Sequence, residues 1–368
     1  MNDPKYKTLA ETLKKNILDG KYGVGNPLPS MRGLIGRFGV SKTTVQRALD
    51  ELFAQGLISR KQGCGTFVTS LATTRKIGLI VPDHGRSEFF PAIAKEISRL
   101  AQKEEYTLLF GEVGASTDEE RVWQVEQLAR DFIVQRVSGV IFQPIDYVKD
   151  SVTINRKVLA RFDSARIPVV LCDYDFVEAP DRSQYDVVGI NNAEAGALMA
   201  RHLIEAGARK VHFHLKPYAP ESHRGYIRGA IHACRDMGGK VSDSHLLVSD
   251  PDDVAALKRH LRKSRPDAFV CGHDASAAKL KKSLWKLGLA VPQDLLLAGL
   301  NDLQIAPLLT PPLTTVHLPC EAIAETAFSR LQSRIANPAL PPVEMYLPVR
   351  LVIRDSTKRP VESKGKRK

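Results

Sequence analysis

The sequence predicts an α/β protein in two parts: a small α+β head over residues 1–69 and a two-lobe body with parallel sheets over residues 76–357. Three observations predict it. The excess positive charge is confined to the two ends of the chain. Three short helical stretches and a hairpin fill the head. Apolar strands then alternate with amphipathic helices through the rest, in two successive rounds.

The chain has 368 residues, more than one compact core usually spans, so several lobes are expected. At 43% hydrophobic and 26% charged it has the make-up of a folded globular protein rather than a disordered one. No run of about 18 apolar residues occurs, and the N-terminal stretch lacks the apolar centre of a signal peptide. A cytoplasmic protein with no membrane partner is expected. The five cysteines, Cys64, Cys172, Cys234, Cys271 and Cys320, are far apart and form no CxxC pair, so buried thiols are expected rather than disulfides or a zinc site. Residues 1–75 hold 12 basic and 5 acidic side chains, a net of +7, and residues 358–368 hold 6 and 1, a net of +5. The stretch between them is neutral. A basic head on a neutral body is the pattern of a protein whose head alone meets phosphates.

In the head, Tyr6, Leu9, Leu13 and Ile17 recur at helical spacing, and Gly20 stands where a helix would end. Ser30 caps a second helix over 31–38 that Gly39 terminates. Ser41 caps a third, whose apolar face is Val45, Ala48, Leu49, Leu52 and Phe53. Only Gly39-Val40-Ser41 separates the second and third helices, the spacing of a helix-turn-helix. GLISRKQGCGTFVT (56–69) reads as strand, glycine turn, strand, which completes a winged helix. LPSMR (28–32), FGVSKTTVQRALDEL (38–52) and GLISRKQGCGTFV (56–68) resemble the GntR-type winged-helix DNA-binding domain. The resemblance implies that Ser41, Lys42, Thr43, Thr44 and Gln46, in the first turns of the recognition helix, point into the major groove of double-stranded DNA, with Arg32, Thr43 and Thr44 positioned on phosphate. It also places the wing turn Gln62-Gly63 along the minor groove, with Arg60 and Lys61 beside it. Met31, Lys42 and Gln46 depart from the commoner residues of that family. Gln46 suits adenine, where arginine would suit guanine.

Residues 70–75 read as a linker. From Lys76 the alternation begins: strands over 77–82, 106–113, 137–144 and 167–174, with helices over 91–105 and 118–136. It restarts with strands over 187–192, 210–215, 267–272 and 294–300, and helices over 193–207, 224–237, 253–263 and 275–287. Apolar strands separated by helices require a parallel sheet covered on both faces. QRVSGVIFQP (135–144), IPVVLCDYDF (167–176), VVGINNAEAGALMARHLIEAGARKVHF (187–213), RPDAFVCGHDASAAKLKKSLWKLGLAVPQDLLLAGLND (265–302) and PPLTTVHLP (311–319) resemble, in this order, the effector-binding domain of the LacI/GalR repressors. That domain has a periplasmic-binding-protein-like fold. The pairing of the two domains resembles the arabinose-operon repressors.

The resemblance implies a first lobe of about 76–190 and 313–334, a second of about 191–312 and 343–357, and a small molecule held between them, with a carbohydrate as the expected class. The candidate effector residues are Ser87, Glu88, Phe89 and Phe90 after the first strand, and Asp173 after the fourth. In the second lobe they are Arg224, His273, Asp274 and Asn301. Strict alignment on Gly229 and Ala233 places Tyr226, not Arg224, at the family's arginine position. His212 and His214 share a strand face, with His223 beyond, but no fourth ligand follows at a fixed spacing, so no metal is expected. GxGxxG after a strand, GxxxxGK[ST], HExxH and GxSxG are all missing, which leaves no cofactor and no catalytic residue to name. The expected protein is a homodimeric repressor on a pseudo-palindromic operator. The alternative is an effector-free regulator whose body dimerises or docks a partner. The tail 358–368 is expected to be solvated.

Overall fold

The computed structural model describes residues 4–61, 64–69, 75–82, 89–114 and 117–359. The chain divides into two compact units, Met1–Arg75 and Lys76–Lys368.

The first unit holds helices α1 (Lys5–Leu18), α2 (Met31–Phe38) and α3 (Lys42–Ala54), then strands β1 (Ile58–Lys61) and β2 (Gly65–Val68). Leu9, Leu13 and Ile17 of α1 meet Leu34 of α2 and Val45, Ala48, Leu49 and Leu52 of α3 in one buried cluster. Ser30 Oγ accepts from Gly33 N at 3.2 Å and so caps α2, while Gly39 closes it with φ 61°, a left-handed turn that a side chain would strain. β1 and β2 pair antiparallel as the wing hairpin. The expected wing-turn residues Gln62 and Gly63 lie outside the described residues, as does most of the expected linker.

The second unit contains two main sheets. The first-lobe sheet has strand order β13-β7-β6-β5-β3-β4, made from β3 (Arg75–Pro82), β4 (Tyr106–Val113), β5 (Gly139–Phe142), β6 (Val169–Asp173), β7 (Asp186–Ile190) and β13 (Glu344–Leu347). Helices α4 (Phe89–Lys103), α5 (Asp118–Val134), α6 (Ser151–Ser164) and α12 (Cys320–Ala336) belong to this lobe. The second-lobe sheet, order β11-β10-β8-β9, uses β8 (Val211–Leu215), β9 (Leu246–Val248), β10 (Ala268–Cys271) and β11 (Leu296–Ala298). Its helices are α7 (Asn192–Glu205), α8 (Glu221–Asp236), α9 (Val254–Lys263), α10 (Asp274–Lys286) and the short α11 (Ile305–Leu308). All three pairings in this sheet are parallel. In the first sheet, β13, β7, β6, β5 and β3 also pair parallel.

The end of the chain corrects the expected lobe boundaries. β12 (Thr315–His317) lies beside the second sheet, through parallel bridges Ala298–Thr314 and Asn301–His317, although 313–334 was assigned wholly to the first lobe. β13 joins the first sheet, although 343–357 was assigned to the second; β14 (Arg350–Val352) then returns to pair with β12. β13 is an edge strand of alternating exposed and half-buried residues, so no apolar run announced it. Helix α6 was not expected from the sequence either, though Val158, Leu159 and Phe162 form its buried stripe.

Two local arrangements hold this frame. Asp186, buried at the start of β7, accepts hydrogen bonds from Arg330 Nη2 (2.9 Å) and Arg334 Nη2 (2.7 Å) of α12 and from Val343 N (2.9 Å). This satisfied carboxylate ties α12 and the entry to β13 to one point. Helices α7 and α8 touch backbone to backbone: a Cβ at Gly196 would fall onto the carbonyl oxygen of Tyr226, and one at Gly229 onto that of Ala193. Gly229→Leu should therefore cost at least about 3 kcal/mol of unfolding free energy, the upper end of the overpacking range, because backbone cannot yield as a side chain does. Urea denaturation at matched slope measures it.

Candidate functional site

The head presents one face of α3 outward. Val45, Ala48, Leu49 and Leu52 are turned into the core, so Lys42, Thr43 and Arg47 stand exposed and Gln46 half-exposed on the other side. Ser41 Oγ accepts from Thr44 N at 3.2 Å and lies 2.8 Å from Thr44 Oγ1, so both residues build the N-cap that aims the helix. Gln46 Nε2 donates to Asp50 Oδ1 at 3.1 Å, and Arg60 Nη2 of β1 donates to the same oxygen at 2.5 Å. Hydrogen bonding from Arg60 holds the Asp50 carboxyl below its ordinary range. Arg60 also lies 5.5 Å from the ring centroid of Phe53, and Lys61 lies 5.3 Å from that of Phe67. Exposed pairs of this kind are worth at most about 1 kcal/mol, so Gln46 and Arg60 can leave Asp50 for another partner at little cost. Arg32 is exposed near the start of α2. The exposed Arg47, beside Gln46 in the sequence, was not singled out from the sequence.

In the body, a cavity of about 590 Å³ opens between the strand ends of the two sheets, a volume suited to a small organic molecule. Phe89, Phe90, Asp173, His273 and Asn301 line it, as expected of their positions after strands. Phe89 and Phe90 are buried and meet edge to face at 5.0 Å, so they shape the wall as well as belonging to the core. Asp173 and Asn301 hold left-handed backbone, φ 81° and 101°, a conformation Asp and Asn tolerate better than other side chains. Ser87 and Glu88 lie outside the described residues.

Two expected effector residues do not line the cavity. Arg224 Nε donates to Glu221 Oε2 at 3.1 Å, one helical turn back, and that pairing turns it away. Asp274 is fully buried: Thr315 Oγ1 donates to its Oδ1 at 2.7 Å and Leu303 N to its Oδ2 at 2.8 Å, which stitches α10 to β12 and to the segment after β11. Tyr226 is also buried, its hydroxyl donating to Gly299 O at 2.9 Å. The paired imidazoles of β8 separate as well. His212 Nδ1 lies 2.7 Å from His260 Nε2, whereas His214 Nε2 meets Ser249 O at 3.2 Å. Among the described residues no cluster of three His, Cys, Asp or Glu side chains is placed to hold a metal ion. No helix among them is long and apolar enough to cross a membrane.

Other cavity residues were not among the expected effector residues: Arg121, Asp146 and Tyr147 from the first lobe, and Lys216, Ser222 and His223 from the second, of which only His223 stood out in the sequence, as a histidine beyond the β8 pair. Tyr147 and Lys216 follow β5 and β8, so the rule that found Asp173 could have found them. Arg121 comes from inside α5 and carried no such signal. The two walls differ electrostatically. Burial pushes Asp146 up to about 6 despite Arg121 at 3.6 Å. Burial, reinforced by the charge of Asp146, pushes Asp173 up to about 7. Opposite, burial pushes His223 down to about 3 and His273 well below its ordinary value, with Lys216 adding to both effects. At neutral pH the imidazoles of His223 and His273 are therefore uncharged.

Comparison with known proteins matches both parts. A model of bacterial regulatory proteins of the gntR family matches residues 5–68. A periplasmic binding protein domain model matches 77–219, and a periplasmic binding protein-like domain model matches 200–357. The arabinose metabolism transcriptional repressor of Geobacillus stearothermophilus is 27% identical over 96% of this chain and 98% of its own. The HTH-type transcriptional repressor PurR of Vibrio vulnificus is 27% identical over 86% of this chain and 89% of its own. The crystal structure of the transcription regulator CcpA of Lactococcus lactis has a similar fold, with a TM-score of 0.66 at 20% identity over 77% of this chain and 100% of that one. The chain therefore carries a gntR-type regulatory head followed by a periplasmic-binding-protein-like body, in an arrangement similar along nearly its whole length to the arabinose metabolism repressor.

Proposed function

We propose that this protein is a cytoplasmic transcription repressor, not an enzyme, whose affinity for an operator is set by a small carbohydrate-class molecule bound in the body. The observation that carries the reading is the polar cavity between two parallel sheets in a chain that also bears a gntR-type head. In the head, Lys42 and Gln46 read base edges, Thr43, Thr44 and Arg32 set the register on phosphates, and Arg60 and Lys61 follow the backbone from the wing. Two protomers on a pseudo-palindrome give the symmetry such sites require. In the body, Phe89 and Phe90 offer aromatic surface, and Asp173 with Asn301 take hydroxyl groups. The molecule shifts DNA affinity only by binding the open and closed arrangements of the lobes unequally.

Selection from a random duplex pool at a fixed, stated salt concentration tests the head. A palindrome should be enriched, and Gln46→Ala should lose about 1–3 kcal/mol and its preference at one base position per half-site. A pool that stays random would overturn the proposal.

The Asp173 carboxyl makes a second prediction. A carboxyl raised in the folded state, as Asp173 is, lends stability that is complete below its unfolded value of 3.8 and lost as pH rises through about 7. Asp173→Asn should therefore melt higher than the parent at about pH 8 and converge with it towards about pH 4, while weakening any ligand that donates hydroxyls there. Thermal melts across that range read it out, and an unchanged difference at both ends would contradict the assignment.

A further inference from the structure

Tyr147 and His223 meet across the cleft. Tyr147 follows β5 of the first sheet, and His223 lies in the first turn of α8 in the second lobe. Tyr147 Oη and His223 Nδ1 are 2.7 Å apart. The backbone N–H of Tyr147 donates to Tyr218 O at 3.2 Å, and Lys216 Nζ stands 4.9 Å from the Tyr147 ring centroid. Tyr147 and Tyr218 both hold left-handed backbone, φ 52° and 55°, which is uncommon for aromatic residues. One residue of the first lobe thus carries three contacts to the second.

The direction of the short hydrogen bond follows from acid–base chemistry. A phenol is a better donor than a neutral imidazole N–H, and an imidazole nitrogen is a better acceptor than a phenol oxygen, so the bond is O–H···Nδ1. Burial beside Lys216 disfavours the imidazolium, which leaves the single ring proton on Nε2. The His223 ring lines the cavity, and its Nε2 has no protein partner among the described residues.

We infer that Tyr147 is a positioning residue that latches the lobes together and fixes His223 as its Nε2–H tautomer, so that this ring presents one hydrogen-bond donor to the occupant of the cavity. The group recognised there is an acceptor: a carbonyl, carboxylate, phosphoryl or ring-ether oxygen. Its use in regulation rests on the effector-binding reading above; the proton assignment does not.

Nitrogen-15 NMR of the full chain labelled at histidine, with no ligand added, tests the assignment. His223, identified by the loss of its signals in His223→Gln, should show a bare Nδ1 and a protonated Nε2 and should not titrate between about pH 5 and 8. Tyr147→Phe keeps the ring and removes the hydroxyl; it should give a mixture of tautomers and speed amide exchange at position 147 about tenfold or more. A proton on Nδ1 in the parent, or unchanged signals in Tyr147→Phe, would overturn the inference. Should that variant fold poorly, His223→Asn against His223→Ala serves instead. The asparagine amide keeps a polar atom near the Nδ1 position, so it should protect the position-147 amide where alanine does not; equal exchange in the two would refute the latch. Failure of operator selection leaves these spectra unaffected, so the two readings fall separately.

Discussion

The constraint on which the rest of this structure depends is parallel pairing, throughout the second-lobe sheet and from β13 through β7, β6 and β5 to β3 in the first. Parallel neighbours cannot be joined by a hairpin, so each connection crosses over, through a helix everywhere but between β6 and β7, and parallel strands end on the same edge of their sheet. Residues just beyond those ends are thereby gathered without being near in sequence: Tyr147, Asp173, Lys216, His273 and Asn301 come from five separate connections and line one cavity. The final crossings, through β12, α12, β13 and β14, bind the two sheets into one body. Asp186 and its two arginines fix where that last excursion returns.

The cavity is costly to the fold, and the costs are of the kind a binding site carries. Carboxyls at Asp146 and Asp173 are buried together and pushed towards their neutral forms. Left-handed Asp173 and Asn301 add backbone strain of about 1–3 kcal/mol each. Neutral imidazoles and Lys216 face these carboxyls from the other lobe, so hydrogen-bond donors and acceptors are divided around one cavity. Sugar hydroxyls, which donate and accept, suit such a division. The head, by contrast, stores little. Its candidate DNA contacts are exposed or engaged in weak surface pairs that DNA phosphates and bases can replace.

Much of this was legible in the sequence, for identifiable reasons. The head has short elements whose caps and turns are written locally: Ser30, Gly39 and Ser41 marked the limits of α2 and the start of α3. The strands of the body were apolar enough to be seen, and the rule that sites lie at strand ends found Asp173, His273 and Asn301 beside the cavity. What escaped depended on tertiary partners. β13 is a mixed-polarity edge strand that only its pairing with β7 defines. Arg224 was a reasonable cleft residue until Glu221 captured it, and Asp274 sat beside His273 in sequence yet turned inward to Thr315. Nor did anything in the spacing of Tyr147 and His223, 76 residues apart, announce that they touch.

The central claim is that occupancy of the cavity and affinity of the head for DNA are linked. The most direct test is the operator affinity of the full chain, at fixed salt, across a panel of sugars and sugar derivatives, beside a variant filled by Ala275→Trp at a residue that lines the cavity. At least one compound should change affinity about fivefold or more in the parent and not in the filled variant. A compound that binds the cavity tightly and leaves operator affinity unchanged would contradict it.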